Sequence, residues 1–225
     1  DNERVVGVFP LFLVKNLRGR RLISLPFSIY GGPLAETDSV TEVLLGRCVG
    51  IVREVKAGYV EIKPASRIEC AERIGFETLE WGTGTVMDLG IGKDALWKGF
   101  AERFNVAKGA TKGLRFILTD GERLPDFYKL QLMTRKRLGL PTPRLSYYVS
   151  FFEKLPGRVK LAIVEKDGKA IAGDIFFLYR DSVLLVLNVS DWRNRGCKPN
   201  DFMIWNITDW ACRAGFKRLD HGPVP

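Results

Sequence analysis

The clearest alternation of apolar and polar positions lies between Ala170 and Asp220. Apolar runs from Ala170 to Tyr179 and from Ser182 to Val189 have strand length and are split by the turn dipeptide Arg180-Asp181, which predicts two hairpin strands buried on both faces. The polar stretch from Ser190 to Pro199 predicts a loop, and Asn200 is placed to cap the helix that follows. In that helix, residues 200 to 214, Met203, Ile204, Ile207, Trp210, Ala211 and Ala214 form one apolar stripe, while Phe202 and Trp205 fall off it. These two aromatics need a second covering surface, for which the other half of the chain is the expected source. A short strand, Lys217 to Asp220, closes the unit.

The same order occurs near the N-terminus. Arg4 to Lys15 is an apolar run containing Gly7 and Pro10; Asn16-Leu17-Arg18-Gly19 is a turn; Arg20 to Pro26 is a second strand. Pro10 cannot donate to a ladder and predicts an edge or a bulge. Phe27 to Pro33, with Gly31 and Gly32, suits a backbone that turns sharply or approaches a ligand closely. A helix starts at Asp38 or Ser39 with Val43, Leu44, Cys48, Ile51, Val52 and Val55 on one face, Gly58 ends it, and Tyr59 to Lys63 is a strand. Aligning Val6-Gly7 with Ala172-Gly173 keeps the two series in step within a few residues. The repeated order predicts an internal duplication in an α/β (α+β) chain, each half a mixed, mostly antiparallel sheet flanked by helices.

Between the copies, the pattern predicts a short helix from Ser66 to Ile74, one or two strands from Phe76 to Leu89, a helix from Lys93 to Phe104, and a mobile basic turn from Lys108 to Gly113. A strand from Leu114 to Thr119, helices from Glu122 to Leu138 and Leu145 to Lys154, and a strand from Val159 to Val164 lead through the turn Asp167-Gly168 into the closing unit. The boundary between halves is expected near Gly121, giving 1–120 and 121–225.

Composition narrows the class of protein. The 225 residues are 46% hydrophobic, which excludes a disordered tail and supplies buried cores. No apolar run reaches the roughly 20 residues that span a bilayer, and the N-terminus lacks the order of a signal peptide, so a soluble cytoplasmic protein is expected. Asp1 and the terminal Gly222-Pro223-Val224-Pro225 both read as cut ends. The four cysteines have no C-x-x-C spacing and His221 is the single histidine, so no metal site is expected. Cys48 and Cys212 read as reduced buried thiols. With Lys+Arg at 35 against Asp+Glu at 26, the net charge of +9 favours an anionic partner: nucleic acid, a nucleotide, a phosphorylated substrate or an acidic membrane surface.

The charge becomes specific in the loop before the last helix. Arg193, Gly196 and Lys198 resemble the pyrophosphate loop of the GNAT acyltransferase superfamily, whose pattern is Gln or Arg, two residues, Gly, one residue, then Gly or Ala. Backbone amides there hold coenzyme A phosphates at a helix N-terminus. Lys198 stands where the pattern has a small residue, and its long side chain obstructs close backbone approach. The chain also resembles the Fem family of peptidyltransferases, which carry two GNAT-like halves. Tyr30-Gly31-Gly32-Pro33-Leu34 is similar to that family's Tyr…Gly-Pro segment. Asn200 to Trp205 followed by Gly215-Phe216-Lys217-Arg218-Leu219-Asp220-His221-Gly222 is similar to its last helix and strand, and Phe127 to Pro141 resembles the helix opening the second half in its short relatives.

This resemblance implies two tandem GNAT-like halves and transfer of an acyl or aminoacyl group onto an amine. The donor, aminoacyl-tRNA or acyl-coenzyme A, is expected at Arg193, Arg195, Gly196, Lys198 and Asn200, with no tightly bound cofactor. A glycan or peptidoglycan precursor is expected at Tyr30, Gly31, Gly32 and Pro33, with peripheral association at the inner membrane. Asp220 and His221 are the candidate proton acceptor or substrate ligand, the plainer alternative for a strand-end Asp being a structural hydrogen bond. Two competing readings stay open: a conventional acyl-coenzyme A N-acyltransferase, and a non-catalytic nucleic-acid-binding module, which would bind in a strongly salt-dependent way.

Overall fold

The computed structural model describes residues 4–17, 19–80 and 82–224; Asp1, Arg18 of the first turn and Pro225 lie outside them. The chain divides into two compact units, one ending at residue 81 and one beginning at residue 82.

In the N-terminal unit, Pro10 splits the expected first strand into β1 (Gly7–Val8) and β2 (Phe12–Asn16), and the two pieces enter different sheets. β2 pairs antiparallel with β3 (Gly19–Ile23), whereas β1 pairs with β4 (Leu34–Ala35). Helix α1 (Asp38–Glu54) is capped by Thr37, whose Oγ1 accepts from the Val40 N–H at 3.3 Å. Its buried face centres on Leu45 and Cys48, while Val43, placed on that face by the spacing, is 70% exposed. The chain then forms β5 (Val60–Glu61), parallel to β3. The expected helix from Ser66 is limited to a 3-10 turn, Glu72–Ile74.

The C-terminal unit is one six-stranded sheet with helices on both faces. Its elements are β6 (Thr83–Asp88), α2 (Lys93–Gly99), α3 (Arg103–Thr111), β7 (Arg115–Thr119), α4 (Leu124–Arg137), α5 (Leu145–Lys154), β8 (Val159–Lys166), β9 (Lys169–Tyr179), β10 (Ser182–Ser190), α6 (Pro199–Arg213) and β11 (Arg218–Val224). The strand order is β6-β11-β10-β9-β8-β7; β10 and β11 run parallel and the other neighbours antiparallel. Phe127 and Tyr148 of α4 and α5 pack with Leu161, Ile163 and Ile175 on one face. Met203, Ile207 and Ala211 of α6 pack with Ala162, Phe176 and Leu219 on the other.

The division at residue 81 replaces the one expected near Gly121, for a physical reason. β6 is zipped to β11 and β7 to β8, so residues 83 to 119 complete the C-terminal sheet and one face of its core. Of the α6 stripe, Met203, Ile207 and Ala211 are buried, Ile204 and Trp210 half-buried and Ala214 exposed, while the off-stripe Phe202 and Trp205 are both buried, at 8% exposure each. The Trp205 ring lies 4.5 Å from that of Trp97 and 5.5 Å from that of Phe100. Phe202 sits against Gly109, where an added Cβ would come within 3.0 Å of the ring. The stretch expected to be a mobile basic turn is therefore partly the end of α3, with Gly109 required by that close approach.

The two units repeat one topology. β2 and β3 form a hairpin, α1 follows, and β5 returns parallel to β3; β9 and β10 form a hairpin, α6 follows, and β11 returns parallel to β10. They differ in one respect. β3 and β5 stay together to the end of β3 at Leu22 and Ile23, and the Ser24 N–H donates onward to the Glu61 carbonyl at 2.9 Å. β10 pairs with β11 only at Ser182, Val183 and Leu184; beyond Leu184 the two strands part.

One carboxyl is buried in the larger sheet. Asp174 of β9 is 1% exposed and stands opposite Ala162 and Asn188. Its Oδ2 accepts from Asn188 Nδ2 at 3.1 Å, and its Oδ1 has no hydrogen-bond partner. Burial pushes the carboxyl up from 3.8 to about 7, with Asn188 and the backbone N–H groups of Leu187 and Val186 acting in the opposite direction.

Two outcomes are expected. Trp205→Ala removes a ring wedged between α6 and α2 and lowers unfolding stability in urea by about 3–5 kcal/mol; a loss well below about 1 kcal/mol would show that the aromatics are not a shared core. Because the folded Asp174 keeps a proton that the unfolded chain has released above its ordinary pKa, that stability is complete below about pH 4 and is lost as pH rises through about 7. Asp174→Asn therefore melts higher than the parent at pH 8, with the gap closing toward pH 4; a gap independent of pH would contradict the buried acid.

Candidate functional site

The parting of β10 from β11 creates a strand edge without a partner. From Leu185 to Ser190 no described strand pairs with β10 on the side facing β11. At the same point β10 slips its register against β9 between Leu185 and Leu187, leaving Val186 as an extra residue. A bulge of this kind bends and twists the strand that carries it. β11 meanwhile continues along β6, with its own slip between Asp220 and Pro223. The result is a fork whose closed end is the Leu184–Asp220 pair and whose open arm on β10 is six residues long, about 20 Å.

Asp220 and His221 lie at the closed end. Asp220 is the last residue of β11 paired with β10, and its Oδ1 accepts the Gly222 N–H at 2.7 Å, so the structural role open from the sequence is present. His221 is half-buried; burial lowers its pKa and the neighbouring Asp220 acts in the other direction. The imidazole is accordingly biased toward the neutral form, which accepts a proton.

The basic loop lies at the open end. Asp191 begins it: its carboxylate caps a 3-10 helix, Trp192–Cys197, by accepting the Arg193 N–H at 3.1 Å. Arg193 Nε and Nη2 grip the same carboxylate at 2.9 and 2.8 Å, and this guanidinium holds the Asp191 carboxyl below the usual range. Arg193 thus braces the loop. Arg195 and Lys198 make no ion pair within 4 Å among the described residues, although Lys198 acts electrostatically on Asp201. Gly196 is exposed and has open space around it.

The helix cap expected at Asn200 is instead Lys198, with φ 57° and ψ 46° and no side-chain cap. Pro199 occupies the first helical position, where its missing N–H costs nothing, and this shifts the start forward. A left-handed lysine costs about 1 kcal/mol, and the position is one at which the GNAT pattern has Gly or Ala. Asn200, on the first turn of α6, keeps a buried Oδ1 with no hydrogen-bond partner, an acceptor that a bound hydroxyl or amide could satisfy.

Tyr30, Gly31, Gly32 and Pro33 belong to the N-terminal unit, apart in the chain from the fork. The Gly31 N–H donates to the Lys63 carbonyl at 2.6 Å, and Ser28 Oγ donates to the Tyr30 carbonyl at 2.6 Å. A Cβ on Gly31 would fall 2.7 Å from Leu25 Cβ, and one on Gly32 3.0 Å from Pro64 Cα. Packing alone accounts for both glycines. Among the described residues no group of three His, Cys, Asp or Glu is placed to hold a metal, and no helix is long and apolar enough to cross a membrane. Cys48 is buried and Cys212 half-buried, and burial pushes both thiols up.

Asp174 and Asn188 escape the sequence pattern because both sit inside apolar runs that are sufficient to predict strands. The available signal is the charge itself: an Asp within Ile-Ala-Gly-Asp-Ile-Phe-Phe is rare in a strand buried on both faces.

Known proteins share this architecture. The crystal structure of FemX superposes with a TM-score of 0.71 at 15% identity, covering 99% of this chain and 77% of that one. The C-terminal domain (DUF2156) of a putative lysylphosphatidylglycerol synthetase from Agrobacterium fabrum gives 0.68 at 18%, over 97% and 70%. L-PGS from Bacillus licheniformis gives 0.64 at 14%, over 97% and 68%. No curated protein matches in sequence. The family of the acetyltransferase (GNAT) domain matches residues 103–224, from the start of α3 to the end of β11. That match spans more than half of the chain and contains the fork, the basic loop and the parallel β10–β11 pair, so the chain belongs to the GNAT acetyltransferase domain family.

Proposed function

We propose that the protein transfers an activated acyl or aminoacyl group from an anionic donor to an amine of a cell-envelope or polysaccharide precursor in the cytoplasm. The observation that carries this reading is the open edge of β10, which joins a basic loop at a helix N-terminus to a carboxylate–imidazole pair at the fork.

The chemistry follows the edge. Phosphates of the donor would meet Arg195, Lys198, Gly196 and the first N–H groups of α6, where the helix dipole favours negative charge. The extended part of the donor would pair with backbone groups of Leu185 to Ser190, as a peptide adds to a sheet edge. Its carbonyl would then lie near the fork, where an unpaired N–H could stabilise the oxyanion of the tetrahedral intermediate. The acceptor nitrogen forms the new C–N bond, the donor's C–O or C–S bond breaks, and the amine proton passes to neutral His221 or to Asp220. Tyr30 to Pro33 are assigned to the acceptor on the family resemblance. The fold shared with FemX and with lysylphosphatidylglycerol synthetase domains is compatible with an aminoacyl donor, and with an acceptor at the inner-membrane surface. The GNAT match equally supports the second reading, a coenzyme A thioester donor.

Calorimetric titration with an aminoacyl-tRNA and with acetyl-coenzyme A separates the two. The expected result is salt-sensitive binding of the aminoacyl-tRNA, weakened about tenfold by Arg195→Glu or Lys198→Glu, with melting temperatures close to the parent's. Tight binding of acetyl-coenzyme A alone would replace the aminoacyl reading with the thioester one, and failure of both ligands to bind would overturn the proposal.

A further inference from the structure

The C-terminal sheet buries a carboxyl, Asp174, that the proposed transfer chemistry does not use. A carboxyl that is 1% exposed, with one oxygen lacking any partner, destabilises the fold, and a Val or Ala on β9 would cost less. Its surroundings are apolar: Ala162 of β8 lies opposite, Ala172 and Phe176 flank it on the same face of β9, and Met203 and Ile207 of α6 belong to the same cluster. The groups acting on the carboxyl are Asn188 and the backbone N–H groups of Val186 and Leu187, with no charged side chain among them. Val186 is the extra residue of the register slip of β10, Leu187 is where pairing resumes, and Asn188 is the next residue. The hydrogen-bond partner of the carboxyl and the two N–H groups that act on it thus lie on consecutive residues, 186 to 188, within the open arm of β10.

We propose that Asp174 is a positioning residue for the donor, fixing through the bulge at Val186 the conformation of the β10 edge along which the donor lies. The inference rests on the proposed use of that edge. A bulge sets free backbone groups that a regular ladder would absorb, and an uncompensated bulge in an open strand would sample several registers. A single ionised carboxylate that accepts from the Asn188 side chain at 3.1 Å and is favoured by the nearby Val186 and Leu187 N–H groups selects one of them. Asn188 is exposed, so it closes the solvent side of the carboxyl. Direct proton abstraction from substrate by Asp174 is opposed by this cover and by its burial. The same carboxylate that lowers stability above neutral pH is retained because it orders the site, a trade of stability against function.

The test uses the full chain and two variants, with donor affinity and backbone amide exchange measured from pH 5.5 to 8.5. The probes are aminoacyl-tRNA and acetyl-coenzyme A, and in the parent the affinity for whichever of the two binds increases as the carboxyl ionises. Asp174→Asn, which keeps the shape and one acceptor oxygen, is expected to melt higher at pH 8 yet to bind donor about tenfold more weakly, without the pH dependence. Asn188→Ala, a change at an exposed position, removes a bond that favours the ionised form, so the pH at which affinity rises moves upward. Both variants lose exchange protection at the Val186 and Leu187 amides. If Asp174→Asn gains stability with donor affinity, its pH profile and those amides unchanged, Asp174 is only a tolerated buried acid and the proposal fails. If no donor binds the parent, the proposed function fails by itself, while the exchange of Val186 and Leu187 still decides whether Asp174 holds the bulge.

Discussion

The fork between β10 and β11 is the constraint on which the rest of the C-terminal unit depends. Parallel neighbours in a sheet normally stay paired along their length, because every unpaired N–H and C=O inside a fold has to find another partner. Here pairing stops after Leu184, and three features make that tolerable. β11 is held on its other side by β6, which continues to pair past the fork. α6 is clamped between the sheet and α2 and α3 by Phe202 and Trp205, which fixes the connection that carries the chain from one arm to the other. The bulge at Val186 turns β10 away. The open edge is then a property of the whole unit, and residues 83 to 114 are as much a part of the site's construction as the loop that faces solvent.

The two copies of the strand–helix–strand order show what the fork adds. In the N-terminal unit the strands are short, the parallel pair stays joined, and the chain beyond β3 remains bonded to the segment beyond β5 through Ser24 and Gly31. Its Gly31 and Gly32 are accounted for by close contacts with Leu25 and Pro64. The C-terminal copy has longer strands, a parted pair and a loop with Arg195 and Lys198 at a helix start. A common topology therefore hosts an open edge in one unit and a closed one in the other, which is why the donor is assigned to the former.

Much of this was legible from the order of apolar runs. The β9–β10 hairpin, α6, a short closing strand and the repeat near the N-terminus follow from run length, turn dipeptides and helical spacing, whereas the parallel pairing of that strand with β10 is seen only in the fold. The sheet partners of β6 and β7 do not, because pairing between residues 83–88 and 218–224 is a long-range choice that neither segment encodes alone. That is why the domain boundary read from the sequence fell at Gly121 rather than after residue 81. At the site, the positions of Arg193 to Lys198 were legible but their roles were not: only the geometry shows that Arg193 is taken up by Asp191 and that Pro199 moves the helix start onto Lys198. Asp174 and Asn188 were hidden by apolar neighbours that dominate any periodicity.

Under the proposed function, the donor occupies the open edge of β10 in the C-terminal unit. Hydrogen–deuterium exchange, compared with and without the donor that binds, tests it most directly. Slowed exchange is expected in a continuous stretch from Leu185 through the loop to the first turn of α6, with the amides of β3 unchanged. Slowing confined to the N-terminal unit, or slowing at the loop with residues 185–190 unaffected, would contradict it.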